Sequence, residues 1–232
     1  MRFLQAALLS LVLLSPSAGM AAEECLSSYL DPSVVAPEML PAPPAERTSA
    51  WNEQVKAVMA AQTSVRADDL TAMRNEQHMR PELMTGLLGG GFTRANLPQT
   101  FNLLDRVLAD AACINNNAKI YWHTRRPFVA DPRVKLMVAP VTSNAYPSGH
   151  TNGARVLAEV LGMLLPEKRE VLRAQADVIA WHRVQAGVHY PNDLTGGNIE
   201  AMLTVGALLT QPGFQQDLAK ARAELALTQA AP

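Results

Sequence analysis

The chain has 232 residues, and its 20 Lys and Arg against 21 Asp and Glu give a formal net charge of −1. A near-neutral chain has no long-range field that attracts nucleic acid or a membrane surface, so partners of those two kinds are not expected. A length of about 210 residues beyond a leader is enough for one well-filled domain.

The first 22 residues have the composition of a secretory signal peptide. Arg2 precedes an apolar run from Phe3 to Leu14, and small residues follow before Glu23 and Glu24. The apolar run is shorter than the ~20 residues that a membrane-spanning helix needs, which disfavours an anchor. We therefore predict that residues 1–22 are cleaved and that the protein is soluble and exported to the periplasm.

Cys25 and Cys113 are the two cysteines of the chain. In an oxidising compartment they can pair, and closing such a long loop contributes ~3–5 kcal/mol in the chain-entropy model. Two unpaired thiols are the alternative, and the sequence leaves both open.

The segment from residue 23 to 47 is rich in proline. We expect it to form an extended arm on the surface, because proline has no backbone N–H and favours extended conformations. The prolines are Pro32, Pro37, Pro41, Pro43 and Pro44.

From residue 48 onward the apolar residues recur at helical spacing, and no segment alternates as a strand does. A first helix capped by Thr48 and a long helix from Pro98 are predicted. The long helix is expected to kink at residues 115–117 and to resume, ending near Pro127. After a loop of about twenty residues, which is usually functional at that length, further helices are expected from Ser148, Pro166, Asp193 and about Phe214. The sequence therefore predicts that residues 48–232 form a single-domain, all-α helical bundle.

Lys119 and Arg126 form the first of three polar clusters. They are seven residues apart, just under two helical turns, so a continuous helix would place both cations on one face. A solvated basic face is the ordinary alternative for such a pair.

Ser148, Gly149 and His150 form the second cluster, at the predicted start of a helix. Free backbone N–H groups and the positive end of the helix dipole favour a bound anion there. Gly149 allows close approach of the backbone, and Ser148 supplies a hydroxyl. An ordinary N-cap serine beside a surface histidine is the alternative.

Arg183, His189 and Asp193 form the third cluster. Gly187 is expected to end the helix that carries Arg183, and Asp193 is four residues beyond His189, where its carboxylate can reach an imidazole nitrogen. Such a carboxylate fixes the histidine tautomer and raises its basicity. A helix cap with a surface histidine is the alternative. A metal site is disfavoured, because these clusters offer few ligands and several cations.

The three clusters in this order resemble the signature of the phosphatidic acid phosphatase type 2 and vanadium haloperoxidase superfamily. That signature reads Lys-x6-Arg-Pro, Pro-Ser-Gly-His and Ser-Arg-x5-His-x3-Asp. The chain matches it at Lys119, Arg126, Pro127, Pro147, Ser148, Gly149, His150, Arg183, His189 and Asp193, and departs from it at His182, where the superfamily has serine. Within the superfamily it resembles class A bacterial nonspecific acid phosphatases over roughly residues 29–227, although the likeness is thin between residues 65 and 97.

The resemblance implies an all-α phosphatase fold and a site that needs no cofactor and no metal. It implies that His189 attacks phosphorus, that His150 protonates the leaving alcohol and that Asp193 orients His189. Phosphate would be held by Lys119, Arg126, Ser148, Gly149 and Arg183. The implied partners are phosphate monoester substrates, with inorganic phosphate or vanadate as inhibitors, and the family often forms homo-oligomers.

Other functions are compatible with the same clusters. A soluble lipid-phosphate phosphatase or a phosphotransferase to an alcohol acceptor would use the same site, and a haloperoxidase would need vanadate and halide. A non-catalytic phosphate-binding protein is the alternative from another class. The pair of histidines with Asp193 argues against it, because a binder needs neither a nucleophile nor an acid.

Overall fold

The computed structural model describes residues 25–230, and every regular element in that part of the chain is helical. The all-α prediction is therefore confirmed. Short 3₁₀ turns lie at Pro32–Val34, Pro37–Met39 and Pro166–Lys168. The α-helices are α1 (Ser49–Gln62), α2 (Ala67–Asn75), α3 (Glu82–Thr85), α4 (Pro98–Trp122), α5 (Pro127–Ala130), α6 (Gly149–Leu164), α7 (Arg169–Gln185), α8 (Pro191–Leu208) and α9 (Pro212–Ala230).

Helix α6 is the centre of the bundle. It packs against α4, α7 and α8, and α4 also packs against α9. Between Thr151 and Leu164 every residue except Arg155 and Met163 is buried, polar side chains included, as in a helix surrounded by others. Val156, Leu157, Val160 and Leu161 are all fully buried. The N-terminus of this central helix therefore lies inside the protein, where neighbouring helices can bring side chains to it.

The N-terminal arm is fastened to the bundle rather than laid over its surface. Cys25 and Cys113 form a disulfide bond. The carboxylate of Asp110 accepts hydrogen bonds from the backbone N–H groups of Ser28 and Tyr29. The expectation of a surface arm is wrong for three apolar side chains that enter the core, Leu30, Val35 and Leu40.

Helix α4 differs from the prediction in two ways. It continues without a break through residues 115–117, because the buried side chain of Asn115 bonds to Glu200 instead of competing for its own backbone. It also ends at Trp122, where His123 adopts a left-handed conformation with φ 49°. The following backbone bonds to the loop before α6, since Thr124 O accepts from the N–H of Ala145.

Two glycines allow this loop to lie directly on α8. A Cβ atom at Gly196 would lie 2.6 Å from the hydroxyl of Tyr146, and one at Gly197 would lie 2.6 Å from the carbonyl oxygen of Ser148. Both distances are too short for real contacts, so side chains at these positions would displace the loop.

The predicted signal peptide, residues 1–22, lies outside the described residues. Within residues 25–230, no helix has the length and apolar content needed to cross a bilayer. The division into an arm at 23–47 and a helical domain from 48 stays a prediction.

Candidate active site

The predicted site residues lie on several parts of the fold and are brought together at the N-terminus of α6. Ser148 caps that helix, and Gly149 and His150 form its first turn. Arg183 lies in the last turn of α7, and His189 lies in the connection to α8. The remaining members are Asp193 in the first turn of α8, Lys119 in the last turn of α4 and Arg126 just before α5.

Lys119 and Arg126 reach the site by separate routes, so the expectation that both project from one helix face is wrong. Helix α4 ends before Arg126, which has an extended backbone with φ −65° and ψ 148°. Arg126 is held by Ser143, whose carbonyl oxygen accepts from Nε at 2.8 Å and whose hydroxyl accepts from Nη2 at 3.0 Å.

His189 is held between a cation and a carboxylate. Nη1 of Arg126 lies 2.7 Å from Nε2 of His189, and Nδ1 of His189 lies 3.1 Å from Oδ2 of Asp193. Because a guanidinium can only donate, Nε2 must accept, and the proton of the neutral ring must sit on Nδ1 and point to Asp193. Nε2 is therefore the unprotonated nitrogen of the ring, which is the form that a nucleophile needs, and its lone pair accepts from the guanidinium of Arg126.

The surroundings of His189 keep the imidazole neutral. Burial lowers its pKa well below the ordinary value, and the positive charges of Arg126, Lys119 and Arg183 lower it further. Burial raises the pKa of Asp193, and the hydrogen bond from the backbone N–H of Tyr190 opposes that rise.

The first turn of α6 presents donors that nothing in the described protein uses. Ser148 Oγ accepts from Thr151 N and Thr151 Oγ1, as an N-cap serine does, so its own hydroxyl proton is free to donate. The N–H groups of Gly149 and His150 have no partner among residues 25–230. Such a helix start binds anions because the free N–H groups and the dipole both favour negative charge.

Arg183 is the least satisfied group of the site. Its side chain is 1% exposed, and within residues 25–230 neither Nε nor Nη1 has a hydrogen-bond partner. Burying an unpaired guanidinium is costly, and buried arginines normally meet carboxylates or phosphates. The unpartnered donors of Arg183 therefore define the polar side of an anion-binding site.

Lys119 has a different set of partners. Its ammonium group donates to the carbonyl oxygens of Asn144, Ala145 and Pro147, at 2.9, 3.1 and 2.6 Å. Lys119 therefore holds the loop that leads into Ser148, while its charge still acts on His189. Burial lowers the pKa of its ammonium group.

His150 is bound through one nitrogen to a backbone carbonyl. Nε2 lies 2.7 Å from the carbonyl oxygen of Glu76, so Nε2 carries a proton and Nδ1 is the nitrogen left for a substrate. Burial lowers its pKa to about 3, with Arg183 as the next cause. His150 and Gly149 also line a cavity of about 450 Å³ with Gln77, His78, Met79, Leu108, Ala112, Asn115, Asn116 and Gly153.

Three further residues support the site and are not predicted from the sequence. Glu76 binds His150, and Asn115 donates to the carbonyl oxygen of Pro147 and to Glu200. Burial raises the pKa of Glu200 to about 7. A local sequence signal exists only for Asn115, within a run of three asparagines.

The helical fold and the ordered set of three clusters both agree with one protein superfamily. Residues 105–217 match the PAP2 superfamily, which confirms the predicted resemblance.

More particularly, the chain is similar to bacterial acid phosphatases. It is 30% identical over 148 residues to the non-specific acid phosphatase of Salmonella typhi, an overlap of 62% of this chain and 59% of that protein. It is 30% identical over 135 residues to the acid phosphatase of Zymomonas mobilis, covering 56% and 51%. The chain therefore spans only 51–59% of the length of these relatives.

Among solved structures, the first transmembrane PAP2 type phosphatidylglycerolphosphate phosphatase from Bacillus subtilis matches with a TM-score of 0.49 and 20% identity. The match covers 73% of this chain and 88% of that one.

Proposed function

We propose that this protein is a metal-independent acid phosphatase that hydrolyses phosphate monoesters through a phosphohistidine intermediate. One observation carries the proposal, which is the buried, unpartnered guanidinium of Arg183 in the same site as a neutral His189 with its lone pair on Nε2. A buried guanidinium without a partner favours a bound anion, and an unprotonated imidazole nitrogen reacts with an electrophile. A phosphate ester supplies both. The names of the relatives support the same activity.

In the first step Nη1 of Arg126 exchanges its hydrogen bond to Nε2 of His189 for one to a phosphoryl oxygen, which frees the Nε2 lone pair. Nε2 then attacks phosphorus, and a P–N bond forms as the bond from phosphorus to the ester oxygen breaks. The alcohol leaves with a proton from His150. Arg183, Arg126 and the free N–H groups of Gly149 and His150 would stabilise the phosphoryl oxygens, with the Ser148 hydroxyl as a further donor. Phosphoryl transfer depends mainly on such alignment and charge stabilisation.

In the second step His150, now neutral, takes a proton from water, and the oxygen attacks phosphorus on the side that the alcohol left. The P–N bond breaks, its electron pair returns to Nε2, and inorganic phosphate is released. Asp193 keeps the proton of His189 on Nδ1 before attack and stabilises the positive charge of the ring in the intermediate.

Within the described part of the chain, no group of three His, Cys, Asp or Glu side chains is arranged to hold a metal ion. In the proposed chemistry arginine, lysine and protonated histidine side chains supply the positive charge, so we expect turnover to survive chelators.

The test is release of phosphate from p-nitrophenyl phosphate between pH 4 and 7 by the purified protein, with EDTA and with vanadate. Vanadate should inhibit, because its five-coordinate form resembles the transition state, whereas EDTA should not. His189→Ala should remove turnover, with His123→Asn as the control variant, because His123 is an exposed histidine at the end of α4 and asparagine tolerates its left-handed conformation. Tight phosphate binding without turnover in the wild-type protein would instead identify a binding protein.

The location of the protein is also a proposal. An apolar leader and a disulfide bond are both typical of an exported protein. Cell fractionation and the mass of the mature N-terminus test it. A protein retained in the cytoplasm with Met1 intact would contradict export.

A further inference from the structure

Glu76 has two acceptors that bind different histidines. It follows α2 directly, is 5% exposed and belongs to the region where the superfamily likeness is thin. Its carbonyl oxygen meets Nε2 of His150 at 2.7 Å. Its two carboxylate oxygens meet Nδ1 of His182 at 3.0 and 2.9 Å.

The carbonyl contact determines which nitrogen of His150 is available to a substrate. A carbonyl oxygen can only accept, so it keeps a proton on Nε2 and leaves Nδ1 for proton transfer. It also restricts rotation of the ring. The position of this carbonyl depends in turn on what holds residue 76, because the chain after α2 has no regular structure until α3.

The carboxylate contact ties residue 76 to α7. His182 is one residue before Arg183, so the hydrogen bond joins the end of α2 to the helix that carries the unpartnered guanidinium. The contact spans 106 residues of sequence and is buried on both sides. Serine, which the superfamily signature has at this position, has a side chain one bond shorter than the path from Cβ to Nδ1 of histidine. The contact with Glu76 is therefore specific to the histidine.

We propose that Glu76 and His182 form a positioning pair for the general acid. His182 holds the carboxylate of Glu76, and the carbonyl of Glu76 holds His150 with Nδ1 toward the leaving group. Neither residue touches the phosphate. The proposal rests on the proposed function, because it assigns the pair to the step in which His150 protonates the alcohol.

The experiment compares two substrates that differ in their need for an acid, p-nitrophenyl phosphate and glycerol 2-phosphate. The alkoxide of glycerol is a poor leaving group, so its loss depends on protonation, whereas p-nitrophenolate leaves readily without it. General acids contribute ~10²–10⁴-fold to such steps. For His182→Ala we expect kcat/KM, which reports the step that releases the alcohol, to fall by ~10-fold or more on glycerol 2-phosphate and by less than ~3-fold on p-nitrophenyl phosphate.

Three variants distinguish a positioning role from a simple loss of stability. His182→Asn retains an N–H donor near the position of Nδ1 and should restore the alkyl substrate to within ~3-fold of wild type. Glu76→Ala should reproduce the pattern of His182→Ala. The double variant should be no worse than either single one, because the two residues act as a unit.

The matched control is Glu159→Ala, which removes a buried carboxylate that joins α6 to Arg173 of α7 away from the site. It should affect both substrates equally. Equal losses on both substrates in His182→Ala, or no loss on either, would overturn the positioning role.

A second measurement separates this inference from the proposed function. Long-range ¹H–¹⁵N NMR of the imidazoles should show His150 with its proton on Nε2 in wild type and a mixture of tautomers in His182→Ala. Wild-type protein inactive on both substrates would reject the phosphatase function. An unchanged His150 tautomer in His182→Ala would reject the positioning pair, whatever the activity.

Discussion

Nη1 of Arg126 donates to Nε2 of His189 across 2.7 Å. This contact places a permanent positive charge beside the nitrogen that acts as the nucleophile in the proposed mechanism. Together with burial, the guanidinium lowers the pKa of His189, because a second proton on the ring would lie against a positive charge. A bound phosphoryl group would also place an oxygen near the guanidinium, so the same residue can bind substrate and keep the nucleophile unprotonated.

Asp193→Asn should lower kcat by ~10²-fold or more with the fold retained, because carboxylates that orient a catalytic histidine have effects of this size or larger. The amide that replaces the carboxylate can donate to Nδ1 and would then move the ring proton to Nε2, the nitrogen that attacks. Steady-state kinetics with p-nitrophenyl phosphate measures the loss, and circular dichroism checks the fold.

Asp217→Asn is the control for that variant. Asp217 is a carboxylate of similar burial that binds Tyr29 and Lys220 far from the site. Its replacement should leave kcat unchanged. An Asp193→Asn protein with wild-type kcat would show that the tautomer of His189 does not limit turnover.

Arg183→Met should stabilise the protein in phosphate-free buffer and remove its response to phosphate. Each buried donor left unpaired costs about 1–3 kcal/mol, so removing the guanidinium should raise the free energy of unfolding by a similar amount. Wild type should gain ~2.7 kcal/mol at a phosphate concentration of 100 times Kd. Denaturant unfolding of both proteins, with and without phosphate, gives the comparison.

The matched variant is Arg155→Met, since Arg155 on α6 already bonds to Asn198 and Asp177. It should not gain stability in phosphate-free buffer, and its stabilisation by phosphate should equal that of wild type. Equal stabilisation of Arg183→Met and wild type by phosphate would place the anion elsewhere.

Binding of vanadate at pH 5.5 should be accompanied by uptake of nearly one proton at His150. In the free protein the pKa of His150 is about 3, so the ring is neutral at this pH. An anion beside it favours the imidazolium and raises that pKa. The activity should therefore be lost as the pH rises through the raised pKa of the complex, which gives an acidic optimum.

Calorimetry in two buffers of different ionisation enthalpy measures this uptake. The change of protonation of vanadate itself is removed by subtracting the result for His150→Gln, whose amide can still donate to the carbonyl of Glu76. Identical proton uptake by wild type and His150→Gln would reject His150 as the group that titrates.

Glu200→Gln should stabilise the protein at pH 8 and have little effect at pH 4. Burial raises the pKa of Glu200 to about 7, so the folded state keeps a proton that the unfolded state loses above pH ~4.5. The stabilisation from that proton is fully present below the unfolded pKa and is lost as the pH rises through 7. Glutamine resembles the protonated form and keeps an acceptor for Asn115. Guanidinium unfolding at both pH values should give a difference of ~3 kcal/mol at pH 8. The same difference at pH 4 would contradict a raised pKa.

The parts of the site that the sequence predicted correctly are those with local signals. Ser148 precedes a helical pattern that needs a cap, and Gly187, with φ 77°, ends α7 as the sequence indicates. The predicted contact between His189 and Asp193 is present because both residues lie at the start of α8, four residues apart. The all-α fold follows from apolar spacing along the whole chain.

The features that the sequence did not predict depend on contacts between distant residues, which no local sequence pattern indicates. A left-handed His123 ends α4 early, and that conformation is unusual for any residue with a side chain. The partner of His182 lies 106 residues away, in a segment that the superfamily signature does not reach. The three carbonyl oxygens that hold Lys119 belong to the loop at residues 144–147, whose path is set by packing on α8.

The two glycines of α8 have a practical consequence for altering this protein. Gly196 and Gly197 leave room for Tyr146 and Ser148, so any larger residue there would move the cap of α6 and the groups aligned with it. Across the site, Gln77, His78 and Asn116 line the cavity beside His150 with side chains that reach open space. Mutant libraries meant to widen or narrow the range of accepted alcohols should vary those three positions and keep both glycines.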